Sequence, residues 1–330
     1  MSYENIGDPN FIVGVHQVKI QGRGRLDRWL TESFPEISRA KWQKLIRGGA
    51  VRVDGLAVSP KESLVSGRRV EIDENVFLPE STEVSIPQAE NIPLSILFED
   101  EDILVIDKAA GMVVHPGNGT CSGTVVNAAL FHCGHLPILS DSDRPGVVHR
   151  LDKETSGVLL LAKSKQAGEG LFRQFKNRDL RKTYLALVQG LASVPEGTCR
   201  GNIGRHPVRR TRMSIIAEGR SAVSHWKVLG SSREENWSAL EVRIETGRTH
   251  QIRVHLSAEG MPLLGDGLYG FRKSRSGGLA LTAERVLLHA HHLCFTHPAS
   301  GVAMEIEAPI PEDMHPFFEQ SGADLSTRYR

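Results

Sequence analysis

The sequence lacks the features that place a protein in a membrane or in an oxidising compartment. Among its 330 residues, no run approaches the roughly 18 consecutive apolar residues of a membrane-spanning helix. The start, Met1–Asn5, has neither the basic residues nor the apolar core of a signal peptide. Only four cysteines are present, and no two of them form the CxxC pair of a zinc ribbon: Cys121, Cys133, Cys199 and Cys294. We therefore expect a cytoplasmic protein without membrane association, whose thiols are reduced.

Signatures of several other enzyme classes are also missing. No GxSxG segment is present, which argues against the nucleophile elbow of an α/β-hydrolase. Gly265–Gly270 fits GxGxxG by letters, but no amphipathic helix follows it, which argues against a dinucleotide site. A histidine-rich segment contains His289 and His291, followed by His292 and Cys294. Strand alternation would put the first two on one face and the last two on the other, so we expect no metal site here.

The net charge of +1 hides a segregated distribution of charge. Residues 18–72 contain 12 Lys and Arg against 6 Asp and Glu, whereas residues 73–102 contain 9 Asp and Glu and no Lys or Arg. Residues 200–220 contain 6 Arg and 1 Glu. Two separate basic patches predict a polyanionic partner, with ordinary solvated surface charge as the alternative.

The most informative segment is His149-Arg150-Leu151-Asp152-Lys153-Glu154-Thr155-Ser156-Gly157. It lies between two short apolar runs, Gly146–Val148 and Val158–Ala162, which predict buried strands. Five ionisable side chains in six positions cost desolvation free energy at a sheet edge unless they are paired. Arg150 is two residues from Asp152, an arrangement that can keep this carboxylate ionised in a partly buried pocket. The alternative is an ion-paired loop that only closes two strands.

Two short amphipathic helices and a hairpin are predicted near the N-terminus. Apolar residues repeat at helical spacing in two stretches: Leu26, Trp29, Leu30 and Trp42, Leu45, Ile46. Ser38 is a suitable N-cap for the second helix, and Gly48-Gly49 would end it. Asp54-Gly55 between two short β runs predicts a hairpin.

From Ile92 onward, strand patterns dominate. Aliphatic runs predict strands at Ile103–Ile106, Tyr184–Val188 and Leu240–Ile244, and helices are predicted near Gln166–Asn177 and Thr249–Ala258. This mixture indicates an α+β fold around a mostly antiparallel mixed sheet.

A second specific motif is Glu245-Thr246-Gly247-Arg248-Thr249-His250-Gln251-Ile252-Arg253-Val254-His255-Leu256. Ile252 and Leu256 share one face of the predicted helix, and Gly247 lets the chain turn into it. Arg248 would stand at the helix start, where the helix dipole and free N–H groups favour an anion. An arginine that simply packs on a helix is the alternative.

Both motifs resemble those of the RluA family of RNA pseudouridine synthases, and the likeness extends over nearly the whole chain. It includes the strand Arg181–Val188 and the loop at residues 263–270. It also includes a turn in which Asp107 replaces the family's asparagine and Ala109 its proline, which predicts a looser turn. The two helices and hairpin at residues 25–72 resemble the S4 RNA-binding domain.

The resemblance implies a domain organisation in four parts. We expect an N-terminal tail at 1–17, an S4-like (helix-helix-hairpin) domain at 18–72, an acidic linker at 73–92 and an α+β pseudouridine synthase catalytic domain at 93–330.

The resemblance also implies roles for individual residues. Asp152 would be the catalytic carboxylate, and Arg248 would pair with it. Tyr184 would stack on the flipped uracil and could relay the C5 proton. Arg150 would fill the space that the expelled base leaves in the RNA helix. The substrate-binding residues would be Arg150, His149, Lys182 and Ile252, and no metal or organic cofactor would be required.

The expected function is the isomerisation of uridine to pseudouridine in structured RNA, in a stem-loop of large-subunit (23S) ribosomal RNA, by a monomer. RNA contacts are expected from the S4-like domain and from a basic arm at 205–213: Arg25, Arg28, Arg39, Lys41, Lys44, Arg47, Arg205, Arg209, Arg210 and Arg212. The alternatives are a non-catalytic RNA-binding or ribosome assembly factor, a synthase acting on another rRNA or tRNA site, and a nucleoside or glycoside hydrolase that uses Asp152.

Overall fold

The chain divides into two units, Met1–Ile86 and Pro87–Arg330. The structure is a computed structural model, and it describes residues 15–19, 24–35, 37–73, 76–77, 87–117, 120–139, 144–273, 278 and 283–323. Most of the predicted tail over residues 1–17 and the middle of the predicted acidic linker lie outside the described residues.

The smaller unit contains two helices and short strands. Its described elements are β1 (Val15–Lys19), β2 (Gly24–Arg25), α1 (Leu26–Ser33), α2 (Arg39–Arg47), β3 (Val51–Val53), β4 (Leu56–Ala57), β5 (Ser63–Leu64) and β6 (Arg69–Asp73). Strands β1, β6, β3 and β4 form an antiparallel sheet in that order, and β2 pairs with β5. Leu26, Leu30 and Trp42 are fully buried between the helices and the sheet strands, as their helical spacing predicts.

Local sequence signals set the ends of these elements. The Ser38 hydroxyl accepts a hydrogen bond from the Lys41 N–H at 3.3 Å and caps α2. Asp54 and Gly55 have φ angles of +52° and +78°, which the two-residue turn between β3 and β4 requires. The helix-helix-hairpin prediction is therefore confirmed.

The larger unit is built on one long sheet. Its described elements are β7 (Ser95–Glu99), β8 (Ile103–Lys108), α3 (Val125–Cys133), β9 (Ser156–Ala162), α4 (Lys165–Asn177), β10 (Arg181–Gln189), β11 (Glu196–Arg205), β12 (Met213–Ile215), β13 (Arg220–Ser232), β14 (Trp237–Ile244), α5 (Gln251–Ala258), β15 (Leu288–Thr296), β16 (Ala303–Glu307) and α6 (His315–Ser321). The strand order is β12-β11-β13-β14-β10-β15-β9-β8-β7, with β16 also paired to β15. Among these described pairs only β9 and β15 run parallel, so the predicted α+β fold with a mostly antiparallel sheet is confirmed.

Strand alternation supplies a hydrophobic core on each face of this sheet. Along β8, Leu104 and Ile106 join one buried cluster, while Ile103 and Val105 join the other. Ile252 of α5 packs into the first cluster, whereas α4 packs into the second. Because helices cover both faces, the strand β9 is buried along its whole length and reads as a continuous apolar run.

Gly157 allows β9 to approach β15 at the start of their parallel pairing. It lies opposite Ala290 and has a φ of +110°. A Cβ at this position would lie 2.2 Å from the Ala290 carbonyl oxygen, so no other residue fits without moving the backbone. The last residue of the first motif therefore fixes where the loop carrying Asp152 enters the sheet.

The predicted strand at Gly146–Val148 is wrong. This segment forms a turn in which the Gly146 N–H donates to the Pro137 carbonyl at 2.8 Å, and its one strand-like contact is a single bridge between Val147 and Leu161. Its apolar side chains are buried, but its backbone donors are used within turns and not along a ladder.

The end of the predicted acidic linker is attached to the larger unit. The Asn127 amide of α3 donates to the Gln88 carbonyl at 2.7 Å, and the Gly123 N–H donates to the Glu90 carboxylate at 3.1 Å.

Among the described residues, no helix has both the length and the apolar composition needed to cross a membrane.

Candidate active site

A cavity of about 550 Å³, part of it open to solvent, lies between the loop before β9, strand β10 and the start of α5. All three predicted catalytic residues, Asp152, Tyr184 and Arg248, line it, as do Arg150 and Ile252. Among the lining residues that the structure describes, Asp152 is the only acid. The two sequence motifs are thus brought together around one carboxylate.

Arg253 is the cation that contacts Asp152. Its Nη1 donates to Asp152 Oδ2 at 3.2 Å, while its Nε and Nη2 donate to the two oxygens of Asp266 at 2.7 and 3.0 Å. Arg253 is 7% exposed and Asp266 is 1% exposed. The buried, two-pronged bond to Asp266 fixes the guanidinium plane and leaves one N–H directed at the Asp152 carboxylate.

The predicted partners of Asp152 are therefore wrong. The Arg248 Nε donates to the Ser221 carbonyl at 3.2 Å, and Arg150 is exposed at the rim. The reason is that α5 begins at Gln251, so Arg253 lies in its first turn and faces the cavity, whereas Arg248 remains in the preceding loop. Both arginines belong to the second motif, and its letters alone do not separate their roles.

Asp266 was also missed, because its loop was interpreted only as a structural part of the family resemblance. Gly265 has a φ of +79°, and a Cβ there would lie 1.7 Å from the Arg285 carbonyl. This close approach packs the turn against the backbone at Arg285 and places Asp266 within hydrogen-bonding distance of Arg253. A buried acid needs a cation, so an aspartate in a glycine-rich turn was the available signal.

Lys108 stabilises the loop that carries Asp152 through hydrogen bonds to backbone carbonyls. The Lys108 ammonium donates to the carbonyls of Ala109, Met112 and Lys153 at 2.7, 2.9 and 3.1 Å, and burial lowers its pKa to about 8. The Gly111 N–H donates to the same Lys153 carbonyl at 2.9 Å. The turn that Ala109 was expected to loosen is therefore tied directly to the residue after Asp152.

Tyr184 lies on β10 beside the carboxylate and is 8% exposed. Burial, reinforced by the negative charge of Asp152, raises the pKa of its phenol well above the usual range. The phenol therefore keeps its proton at neutral pH. Its ring is available as a stacking surface. Its hydroxyl is protonated before any reaction begins and can therefore donate a proton.

His149 does not line the cavity. Its Nε2 accepts the Leu160 N–H at 2.9 Å, and its ring stacks on Phe175 with centroids 4.8 Å apart. Burial, together with the nearby Lys182, lowers its pKa to about 3, so the ring is neutral. His149 therefore attaches the first motif to β9, and its contact with substrate stays a prediction.

Hydrogen bonds link the basic arm at residues 205–213 to His250, whose ring lies near the Asp152 carboxylate. The Met213 N–H donates to Tyr269 Oη at 2.8 Å, and Tyr269 Oη is 2.7 Å from His250 Nδ1. The imidazole tautomer decides which of these two atoms donates the hydrogen bond. The other ring nitrogen, His250 Nε2, lies 3.8 Å from Asp152 Oδ2. Sequence analysis missed both His250 and Tyr269.

The predicted RNA-binding residues of the smaller unit differ in their surroundings. Arg25 and Arg39 both bond to Asp27, which is fully buried, at 2.9 and 3.0 Å, and Arg28 pairs with Glu32 at 2.8 Å. Burial raises the pKa of Asp27, but hydrogen bonds from Arg25, Gln43 and Arg39 outweigh it and lower the pKa to about 2. Arg39 therefore joins α2 to α1 through Asp27, while Arg25 bonds to the same carboxylate from the residue before α1.

The other predicted RNA-binding side chains lie on outer surfaces. Lys44 and Arg47 are exposed on α2, and Lys41 is half-buried there. In the larger unit the turn between β11 and β12 presents the basic arm, defined here as residues 205–213. Its arginines are exposed or half-buried: Arg205, Arg209, Arg210 and Arg212.

The histidine-rich strand β15 brings together three possible metal ligands, His292, Cys294 and Glu305. The Arg181 guanidinium donates to the Cys294 sulfur at 3.2 Å and lies 3.6 Å from the Glu305 carboxylate. A positive charge is thus already present where a cation would bind.

Comparisons with known proteins agree with this site. The family model described as RNA pseudouridylate synthase matches residues 102–258, and the model of the S4 domain matches residues 24–70. An uncharacterized RNA pseudouridine synthase of Synechocystis is 43% identical over 87% of this chain and 86% of its own. A ribosomal large subunit pseudouridine synthase D of Xanthomonas campestris is 44% identical over 88% of this chain and 86% of its own.

Solved structures give the same relationship. Human RNA pseudouridylate synthase domain containing 1 aligns with a TM-score of 0.54 and 28% identity, over 67% of this chain and 85% of its own. The resemblance read from the two motifs is therefore confirmed.

Proposed function

The chain belongs to the RNA pseudouridylate synthase family and isomerises uridine in RNA, and we propose that its target lies in a stem-loop of large-subunit (23S) ribosomal RNA. Support for this target comes from the S4 domain, from the basic arm and from relatives named for the large ribosomal subunit. An enzyme that recognised a free nucleoside would need neither basic surface.

Asp152 is the group that we assign to the chemistry. Isomerisation breaks the N1–C1′ bond, turns the uracil and forms a C5–C1′ bond, while N1 gains a proton and C5 loses one. A carboxylate can begin this sequence by attacking the sugar or by taking a proton from it, and both routes require it to be ionised. The observation that carries the assignment is the 3.2 Å contact of its Oδ2 with Arg253, whose orientation Asp266 fixes.

Access to the base requires that the uridine leave its helix, as enzymes acting on bases in duplexes commonly arrange. Arg150 is exposed at the rim of the cavity, where it fills the place of the departed base. Tyr184 inside the cavity then stacks on the extruded uracil. No step in this sequence changes an oxidation state.

The proposed function is tested with the purified protein and a folded fragment of large-subunit rRNA. Nucleoside analysis should show conversion of particular uridines to pseudouridine, with the mass of the RNA unchanged. Loss of uracil would indicate a hydrolase instead. Tight binding with no conversion in any large-subunit fragment would favour the assembly-factor alternative.

Replacing Tyr184 with phenylalanine is expected to separate binding from turnover. The ring still stacks on the base, a contact worth roughly 1–3 kcal/mol, so RNA affinity should change little. Loss of the hydroxyl removes a proton donor from the cavity, and product should form at least about tenfold more slowly. Single-turnover kinetics measure both quantities. A Tyr184→Phe enzyme of wild-type rate would limit the tyrosine to stacking.

Neutralising α2 is expected to weaken RNA binding through salt-dependent contacts. Each lost phosphate contact should reduce the slope of log K against log salt by roughly 0.7 to 0.9, so Lys44→Ala with Arg47→Ala should reduce it by up to about 1.8. Arg233→Ala, at the exposed turn between β13 and β14, is the control and should leave the slope unchanged. An unchanged slope in the double variant would remove α2 from the RNA interface.

A further inference from the structure

A second cavity of about 840 Å³, including open solvent, adjoins the catalytic cavity. Arg178, Lys182 and Arg243 line it, and Ile244 lines both cavities. The Lys182 ammonium lies 4.0 Å from where a Cβ on Gly247 would stand, and Gly247 lines the catalytic cavity. The two spaces are therefore immediate neighbours.

Positive charges are concentrated around this second cavity. Burial and the charges of Arg178 and Arg248 lower the pKa of Lys182 to about 8. Burial and the charges of Arg220 and Arg178 lower the pKa of Arg248 as well. In both cases burial is the larger cause and neighbouring positive charges add to it, so a bound anion would relieve the repulsion that Lys182 and Arg248 experience.

One nearby acid, Glu245, offsets part of this positive charge, because its pKa is lowered first by its hydrogen bond with His225 and also by the charge of Arg178. Within the described residues, no carboxylate lies within 4.0 Å of the charged nitrogens of Arg178, Lys182 or Arg220. The carboxylate that lines the cavity, Glu245, is hydrogen bonded to His225 at 2.8 Å.

The backbone at Arg178 gives an independent indication. This residue ends α4 in the left-handed conformation, with φ of +67° and ψ of +33°. Helices that end this way usually place glycine or asparagine there, because a side chain is strained in that conformation. An arginine kept at a strained position next to a cavity suggests that its side chain is used.

From these observations we propose that the second cavity binds a backbone phosphate of the RNA beside the target uridine, through Arg178 and Lys182. The inference rests on the proposed function, since a uridine within an RNA chain carries a phosphate on each side. Lys182 and Tyr184 are two residues apart on one face of β10, roughly 7 Å along the strand, so one nucleotide can reach both.

The test is a double-mutant cycle between protein and RNA. The probe is a folded rRNA stem-loop with one uncharged methylphosphonate at the linkage 5′ or 3′ to the target uridine. For the wild type, one of the two substitutions should raise the dissociation constant about ten- to hundred-fold. Lys182→Met should raise the dissociation constant for natural RNA by a similar factor. In this variant the same methylphosphonate should then have little further effect on the dissociation constant.

Arg178→Gly is the second variant, because glycine suits the left-handed conformation and should preserve folding. It too should reduce the penalty of that methylphosphonate. Arg233→Ala, at the opposite end of the β13–β14 hairpin from Ile244, should keep the full penalty. The phosphate site would be overturned if the binding free energy lost through the methylphosphonate were the same in every variant as in the wild type. It would also be overturned if neither linkage showed a loss. Because conversion of natural RNA by the wild type is measured separately, failure of the phosphate site is distinguishable from failure of the proposed function.

Discussion

An Asp152→Asn enzyme is expected to bind its RNA at least as tightly as the wild type and to form no pseudouridine. The amide keeps the shape of the carboxylate but has no negative charge, so it can neither attack the sugar nor accept a proton from it. A group with this role contributes at least about 10²-fold to the rate. Removing a negative charge beside an anionic substrate should not weaken binding.

Single-turnover conversion of an rRNA stem-loop, with the dissociation constant measured in parallel, checks this result. Glu154→Gln makes the same chemical change two residues away, at a half-buried side chain outside the cavity lining, and serves as the matched control. Turnover of Asp152→Asn within about tenfold of the control would remove Asp152 from the chemistry.

Replacing Arg253 with alanine is expected to damage both turnover and folding. Asp266 would be left buried without its two-pronged partner, and breaking a buried ion pair in this way costs about 3–5 kcal/mol of unfolding free energy. Asp152 would lose the guanidinium that orients it, so single-turnover conversion should slow by up to about 10²-fold. Arg253→Lys should recover only part of this loss, because a point charge cannot replace a planar fork.

Arg248→Ala is the informative comparison for Arg253. Among the described residues its guanidinium bonds to the Ser221 carbonyl and to no carboxylate, so Arg248→Ala should change the unfolding free energy and the turnover rate less than Arg253→Ala does. Urea unfolding and single-turnover rates measure the two effects separately. A larger loss of turnover in Arg248→Ala than in Arg253→Lys would return Arg248 to the role that the sequence predicts for it.

The first motif and the smaller unit were readable from the sequence because their signals are local. The cap at Ser38, the turn at Asp54-Gly55 and the helical repeat each act within a few residues. Asp152 and Tyr184 were predicted as site residues in the same way, through the motif that contains each of them, and both line the cavity.

The partner of Asp152 was not readable because it depends on tertiary contacts. Arg253 and Asp266 are separated by a turn whose close packing on Arg285 needs Gly265, and no spacing rule joins them. The neutral, inward orientation of His149 likewise depends on the N–H of Leu160 in the next strand. These residues are set by how strands and loops meet in space, which periodicity does not specify.

If Asp152 catalyses the formation of pseudouridine in large-subunit rRNA, a map of pseudouridine in the rRNA of cells will show it. Cells lacking the protein are compared with the same cells supplied with the wild type or with Asp152→Asn. We predict that one or more large-subunit positions lose pseudouridine in the deletion, regain it with the wild type and stay unmodified with Asp152→Asn. An unchanged map in the deletion would show that this protein does not modify large-subunit rRNA. Full restoration by Asp152→Asn would show that Asp152 is not the catalytic group.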